Sequence, residues 1–124
     1  MNDVILSIKQ QYIDKIIDGS KTIEIRRRPP LKISRGSMIF FAQSGSGGMI
    51  VGDAMCAGIT MMTPKSAWEH YKDDMQISEY DFNEYTKGRA VICLIKLIMP
   101  QRYEKPLSVK HFGLKRIPQS FCYF

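Results

Sequence analysis

The sequence predicts a single α+β domain over residues 1–124, with about three short helices set around a group of strands. Three observations predict it. Apolar residues alternate with polar ones in several short runs, the spacing of a half-buried strand. In three places they return at helical spacing instead, each with its own start or stop signal. Glycine and proline punctuate the boundaries, and no internal repeat, linker or low-complexity tail divides the chain.

Val4 to Ile8 alternates as a strand, and Tyr12, Ile13, Ile16 and Ile17 then recur on one helical face. Gly19 closes that helix, where glycine adopts a left-handed cap without strain. The second strand is expected from about Thr22 to Arg28, stopped by Pro29-Pro30. Arg35-Gly36 marks a turn, Met38 to Ala42 a short apolar strand, and Ser44-Gly45-Ser46-Gly47-Gly48 a hairpin tip or lid. Met49 to Met62 supplies one long strand or two bent ones, with Gly52 and Gly58 at bulges or corners. Thr63-Pro64 starts the second helix, threonine as N-cap and proline at the first helical position, with Ala67, Trp68 and Tyr71 on one side. Ser78 starts the third, with Asp81 completing a partial capping box and Ile77 and Phe82 a hydrophobic staple, and Lys87-Gly88 ends it. Arg89 to Met99 has the blurred alternation of a strand covered on both faces, and Pro100 is expected to end it. Ser108 caps a last helical turn, and Phe121 to Phe124 closes the chain as an aromatic strand.

A chain of 124 residues buries enough surface to fold without staples. The three cysteines, Cys56, Cys93 and Cys122, are widely separated and lack C-x-x-C spacing, so they read as core residues rather than a disulfide framework or zinc site. His70 and His111 fall outside any ligand pattern and read as surface residues, so no metal and no cofactor is expected. No leader pattern opens the chain and no apolar stretch reaches the ~18 residues of a membrane span; a soluble cytoplasmic protein without a membrane partner is the expectation. With 18 Lys+Arg against 12 Asp+Glu, the charge of +6 favours polyanionic partners. Eight methionines, Met61-Met62 among them, fill a core or furnish an adaptable surface for protein partners.

The run Gly19-Ser20-Lys21-Thr22-Ile23-Glu24-Ile25-Arg26 places a lysine, a glutamate and an arginine around one short strand. Successive strand residues point to opposite faces, so Ile23 and Ile25 enter the core while Thr22, Glu24 and Arg26 share the other face. With the core contacts carried by the isoleucines, Lys21 and Arg26 are expected to be replaceable without loss of the fold. Lys21 joins Glu24 only from the turn ahead of the strand; within the strand it points with Ile23 and Ile25. Lysine as a point charge and arginine as a planar fork both suit a phosphate or a carbonyl oxygen. Glu24 between them accepts hydrogen bonds from a base amino group or orients a water. The plainer alternative is a salt bridge that holds the strand end. Arg26-Arg27-Arg28 with Lys32 and Arg35 is the densest basic stretch, either a solvated face or a track for phosphates with steep salt dependence. Tyr12, Phe40 and Phe41 are candidate stacking surfaces for an unpaired base, or core residues.

The Gly19 to Arg26 run resembles the G-x-K-x-x-E-x-R signature of the ASCH (activating signal cointegrator homology) family, a branch of the PUA-like proteins. Ile5-Leu6-Ser7-Ile8-Lys9 followed by Tyr12 resembles the family's opening strand and helix. Arg26-Arg27-Arg28-Pro29-Pro30 resembles the run after the motif in small single-domain members, and Pro118-Gln119-Ser120-Phe121-Cys122-Tyr123 resembles their C-terminal strand. The resemblance implies a mixed or antiparallel PUA-like β-barrel and recognition of RNA or a nucleotide, with an unpaired or modified base in a cleft. Lys9, Lys21, Glu24, Arg26, Arg27, Gln119 and Ser120 are the ligand-binding residues it points to. It also implies an alternative, a hydrolase of the same fold, either an amidohydrolase acting on acylated cytidine or a ribonuclease. Lys21 and Glu24 would then be catalytic. Lys21 matches the amidohydrolase lysine, but Glu24 stands where those relatives have a nucleophilic threonine. Gln43-Ser44-Gly45 likewise departs from a serine pair and proline in relatives.

Overall fold

The structure, a computed structural model, describes residues 2–28, 30, 32–115, 118 and 121–123. Strand β1 (Val4–Ile8) is apolar except for Ser7 and lies inside the sheet, parallel to β3 (Met38–Gln43) and antiparallel to β6 (Phe121–Tyr123). Helix α1 (Gln10–Ile17) starts directly after Lys9 and buries Ile13 and Ile16. Gly19 follows at a φ of 89°, a left-handed conformation that glycine adopts without strain. Strand β2 (Ile23–Arg26) is shorter than the expected Thr22 to Arg28. The Arg27 amide donates to the Tyr85 hydroxyl at 3.3 Å instead of to a ladder carbonyl, which ends the strand.

Strand β4 (Met49–Met62) is continuous, and its pairing register shifts at Gly52 and Gly58. At Gly52 the approach is so close that an added Cβ would meet the Gln101 carbonyl oxygen at 2.4 Å. Helices α2 (Pro64–Met75) and α3 (Glu79–Thr86) start at the expected caps: Thr63 accepts from the Ser66 amide at 3.2 Å and Ser78 from the Asp81 amide at 3.1 Å. Strand β5 (Ile92–Ser108) overturns one expectation, because it runs through Pro100 to Ser108. Ile98 pairs with Met55 and Gln101 with Asp53, so Met99 and Pro100 together oppose Ala54 in a bulge. Met99 takes a φ of 53° there, and a bulge requires no ladder donor from the proline. A 3-10 turn over Val109–Phe112 follows, capped by Ser108.

The six strands form one mixed sheet in the order β2-β5-β4-β3-β1-β6. Four strand steps separate β2 from β1, roughly 19 Å in a flat sheet. Yet the Arg26 Nη2 donates to the Ser7 carbonyl at 2.9 Å. The sheet therefore curls until β2 returns to β1. Among the described residues it does not close as the expected barrel: β2 and β6 remain its edges, and the Arg26 side chain rather than a ladder bridges the gap. Two features keep this seam open. β2 is only four residues long, and its charged residues face the gap.

One core lies between α1 and the concave sheet, around Leu6, Ile13, Phe41 and Ile95. A second packs Ile23, Ile25 and Leu94 against Ala67 and Met75 of α2 and Phe82 of α3. A fully buried side chain of this size contributes about 1.5–3 kcal/mol, so the second core is what holds α2 and α3 beside β2.

Candidate functional site

A cavity of about 270 Å³ occupies the seam. Ser7, Ile8 and Lys9 supply one wall, from the end of β1 that β6 leaves uncovered; among the described residues β6 pairs only with Val4, Ile5 and Leu6. Tyr12 comes from the first turn and a half of α1, while Lys21, Glu24, Ile25 and Arg26 come from β2 and its lead-in. Helix α3 and the residue ahead of its cap close the third side with Ile77, Asp81 and Tyr85.

Lys21 stands in the turn before β2, so it escapes the strand's alternation and meets Glu24. Its Nζ donates to the Met75 carbonyl at 2.6 Å, lies 3.6 Å from Glu24 Oε1, and sits 5.2 Å from the centroid of the Tyr12 ring. Arg26 Nη2 donates to Glu24 Oε2 at 2.7 Å as well as to Ser7. Each carboxylate oxygen thus faces one cation. The three residues are only 3 %, 7 % and 7 % exposed, so this is a buried ionic triad and not a surface pair. Burial pushes the Lys21 ammonium below its ordinary pKa; the nearby Glu24 opposes that shift, and Arg26 and Lys15 add to it.

The α3 wall has its own support. The Arg27 guanidinium lies 5.1 Å from the Tyr85 ring centroid, and the Arg27 carbonyl accepts from Arg89 Nη2 at 2.6 Å. Arg27 does not line the cavity; it backs the tyrosine that does. Ile77, Asp81 and Tyr85 carry no motif in the sequence, where Ile77 and Asp81 register only as helix-start residues. The packing of Phe82, with Ile77 and Tyr85, onto the second core brings them to β2. Of the candidate stackers, Tyr12 lines the cavity, whereas Phe40 packs on Phe112 with ring centroids 5.1 Å apart and Phe41 is fully buried. Ser46 accepts from the Met49 amide at 3.0 Å within its own turn. Gln119 and Ser120 lie outside the described residues, as does Phe124. The neighbouring Pro118 carbonyl accepts from the Ser7 hydroxyl, which ties the C-terminal segment to the seam.

Chemically, the cavity sets a charged donor beside a charged acceptor between two tyrosine rings, with a further cation, Lys9, at an exposed rim position. Such a set suits the polar edge and flat face of a base, or a phosphate beside a ribose hydroxyl. Among the described residues no cluster of histidine, cysteine or carboxylate side chains could hold a metal ion, and no helix is long and apolar enough to cross a membrane.

Comparison with known proteins gives four likenesses. The model of the family described as "Domain of unknown function (DUF365)" matches residues 1–114. A protein of Zymomonas mobilis subsp. mobilis called "ASCH domain-containing ribonuclease" is 25% identical over 121 residues, covering 96% of this chain and 78% of that protein. The crystal structure of ASCH from Zymomonas mobilis superposes with a TM-score of 0.88 at 21% identity, over 98% of this chain and 87% of that one. The N-terminal domain of Staphylothermus marinus McrB is a more distant match in fold, with a TM-score of 0.50 at 12% identity over 87% of this chain and 77% of that one.

Proposed function

Because the chain belongs to the DUF365 family and is an ASCH domain, we propose that it binds single-stranded RNA, with one unpaired base entering the seam cavity. The convergence of Lys21, Glu24 and Arg26 with two tyrosine rings in a space of about 270 Å³ carries this reading, since that volume is of the order of one nucleotide unit. The base stacks on Tyr85 or Tyr12 and presents its polar edge to Lys21 and Glu24, while Lys9 meets the phosphate at the mouth. The Zymomonas relative's description as a ribonuclease is what favours RNA over other polyanions. Stacking on one aromatic ring contributes about 1–3 kcal/mol per base, so Tyr85→Leu is expected to weaken an RNA octanucleotide by roughly tenfold or more. Fluorescence anisotropy at fixed salt measures it. Equal affinities for wild type, Tyr85→Leu and Lys9→Gln would remove the cavity from the binding reaction.

A second reading, cleavage of the bound strand, is favoured by Lys21, whose burial makes it hold its proton less tightly than a surface lysine. The neutral amine would take the proton of a ribose 2′-hydroxyl. The 2′-oxygen then bonds to the adjacent phosphorus, the bond from phosphorus to the 5′-oxygen breaks, and that oxygen takes a proton from the lysine ammonium or water. The products are a 2′,3′-cyclic phosphate and a free 5′-hydroxyl. An oligonucleotide with a single ribose in a deoxyribose strand tests this: cleavage at that ribose alone supports it, and an intact strand after prolonged incubation refutes it.

A further inference from the structure

We propose that a second cavity, on the other side of the Lys21–Thr22 step, holds a phosphate of the same RNA strand one or a few nucleotides from the base in the seam. This rests on the RNA reading above. The second cavity is the larger, about 420 Å³, and is walled by the bulged part of β4, by β5 and by the last turns of α2. Lys21 lines the first cavity and Thr22 the second, so adjacent residues open into the two spaces.

Arg35 and Lys96 both line this second space, and among the described residues neither takes part in an ion pair. Among the described residues the only carboxylate there is Asp74, and the Thr22 hydroxyl already donates to its Oδ1 at 3.3 Å, while the Thr22 amide donates to the Asp74 backbone carbonyl at 2.9 Å. Two cations against one engaged carboxylate leave a positive excess over an apolar floor of Ile59 and Leu94. A phosphate with its sugar matches that combination of charge and apolar surface. The strand crosses from one cavity to the other over the Lys21–Thr22 backbone, whose amides donate to the Lys15 carbonyl of α1 and the Asp74 carbonyl of α2.

The test compares an RNA octanucleotide with a mononucleotide, uridine 3′-phosphate, on the whole chain and on Arg35→Gln/Lys96→Gln. Both side chains are exposed, so the variant keeps its core. Each phosphate contact on a single strand adds about 0.7 to the slope of log affinity against log salt. Losing this one contact lowers octanucleotide affinity roughly fivefold at 0.1 M salt and flattens the slope by about 0.7. Mononucleotide affinity, set in the seam, stays as in wild type. An octanucleotide slope unchanged by the double substitution overturns the second site and leaves the seam reading standing. Weakening of the mononucleotide with no change in the octanucleotide also overturns it, because the cavity then takes a free nucleotide rather than the strand. If wild type binds neither RNA, the RNA reading falls and this inference with it.

Discussion

Replacing Arg26 by methionine isolates the structural part played by the triad. The substitution keeps a long apolar stem but removes the donor to Glu24 Oε2 at 2.7 Å and to the Ser7 carbonyl at 2.9 Å. Hydrogen bonds to charged groups contribute about 1.5–3 kcal/mol, and leaving one partner of a buried pair uncompensated costs about 3–5 kcal/mol. Lys21, 3.6 Å from the other carboxylate oxygen, still offsets part of the Glu24 charge. The lower end, about 3 kcal/mol, is therefore the expected loss. For a domain of this size that lowers Tm by roughly 10–15 °C. Thermal unfolding by circular dichroism reads it directly. The triple replacement Lys21→Met/Glu24→Leu/Arg26→Met removes all three charges together and is expected to recover most of the lost stability, since an apolar substitute for a buried ionic group is often neutral. An Arg26→Met protein melting within about 2 °C of wild type would refute the argument that Glu24 depends on its partner. The expectation that Lys21 and Arg26 can be exchanged freely does not survive their burial, and alanine variants at either position mix folding with binding.

Three further outcomes are expected. Lys21 has its pKa lowered on folding, so the unfolded chain binds more protons than the folded one between that lowered value and the ordinary 10.5, and the Lys21 contribution to stability rises with pH across that window. The stability of wild type relative to Lys21→Met, from urea midpoints, should therefore increase from neutral pH toward pH 10. Taking the difference cancels the opposite trend of Cys93, whose thiol burial pushes up to about 11. A flat or falling difference would contradict the assignment. Gly52→Ala places a Cβ 2.4 Å from the Gln101 carbonyl oxygen, so backbone must move, at a cost of about 1–3 kcal/mol, and an unchanged denaturation midpoint would show that β4 and β5 separate freely there. N4-acetylcytidine is expected to remain acetylated, because Glu24, hydrogen-bonded to Arg26, is a weak nucleophile toward an amide. Turnover on the order of 1 per second or more, lost in Glu24→Gln, would replace the binding reading with that of a water-activating hydrolase.

The elements were legible wherever one local signal decided them. Thr63-Pro64, Ser78 and Gly19 mark helix ends by chemistry that acts within four residues, and the structure puts the ends there. Pro100 misleads because its local rule, a missing donor, is met by a bulge whose existence depends on the opposing strand. The signature strand announces its charged residues and its isoleucines. It cannot announce that the charged face is turned inward, since that follows from a sheet curling through four neighbours. Tyr85 and Asp81 are silent for a similar reason. They reach the cavity through α3, and α3 is seated by Phe82, a contact more than fifty residues from β2 in the chain.

The open seam also bears on how the chain avoids its own copies. A strand edge with free amides and carbonyls is a template for another molecule's strand, and a curled sheet that stops short of closure has two such edges facing one another. Here the β2 edge is four residues long, flanked by Arg27 and Arg28, and Arg26 reaches across to occupy the Ser7 carbonyl on the other lip. An incoming strand would have to break that bond and desolvate the two exposed charges of Arg27 and Arg28 to find a partner. The same guanidinium that shapes the cavity thus also occupies an acceptor that an incoming strand would need.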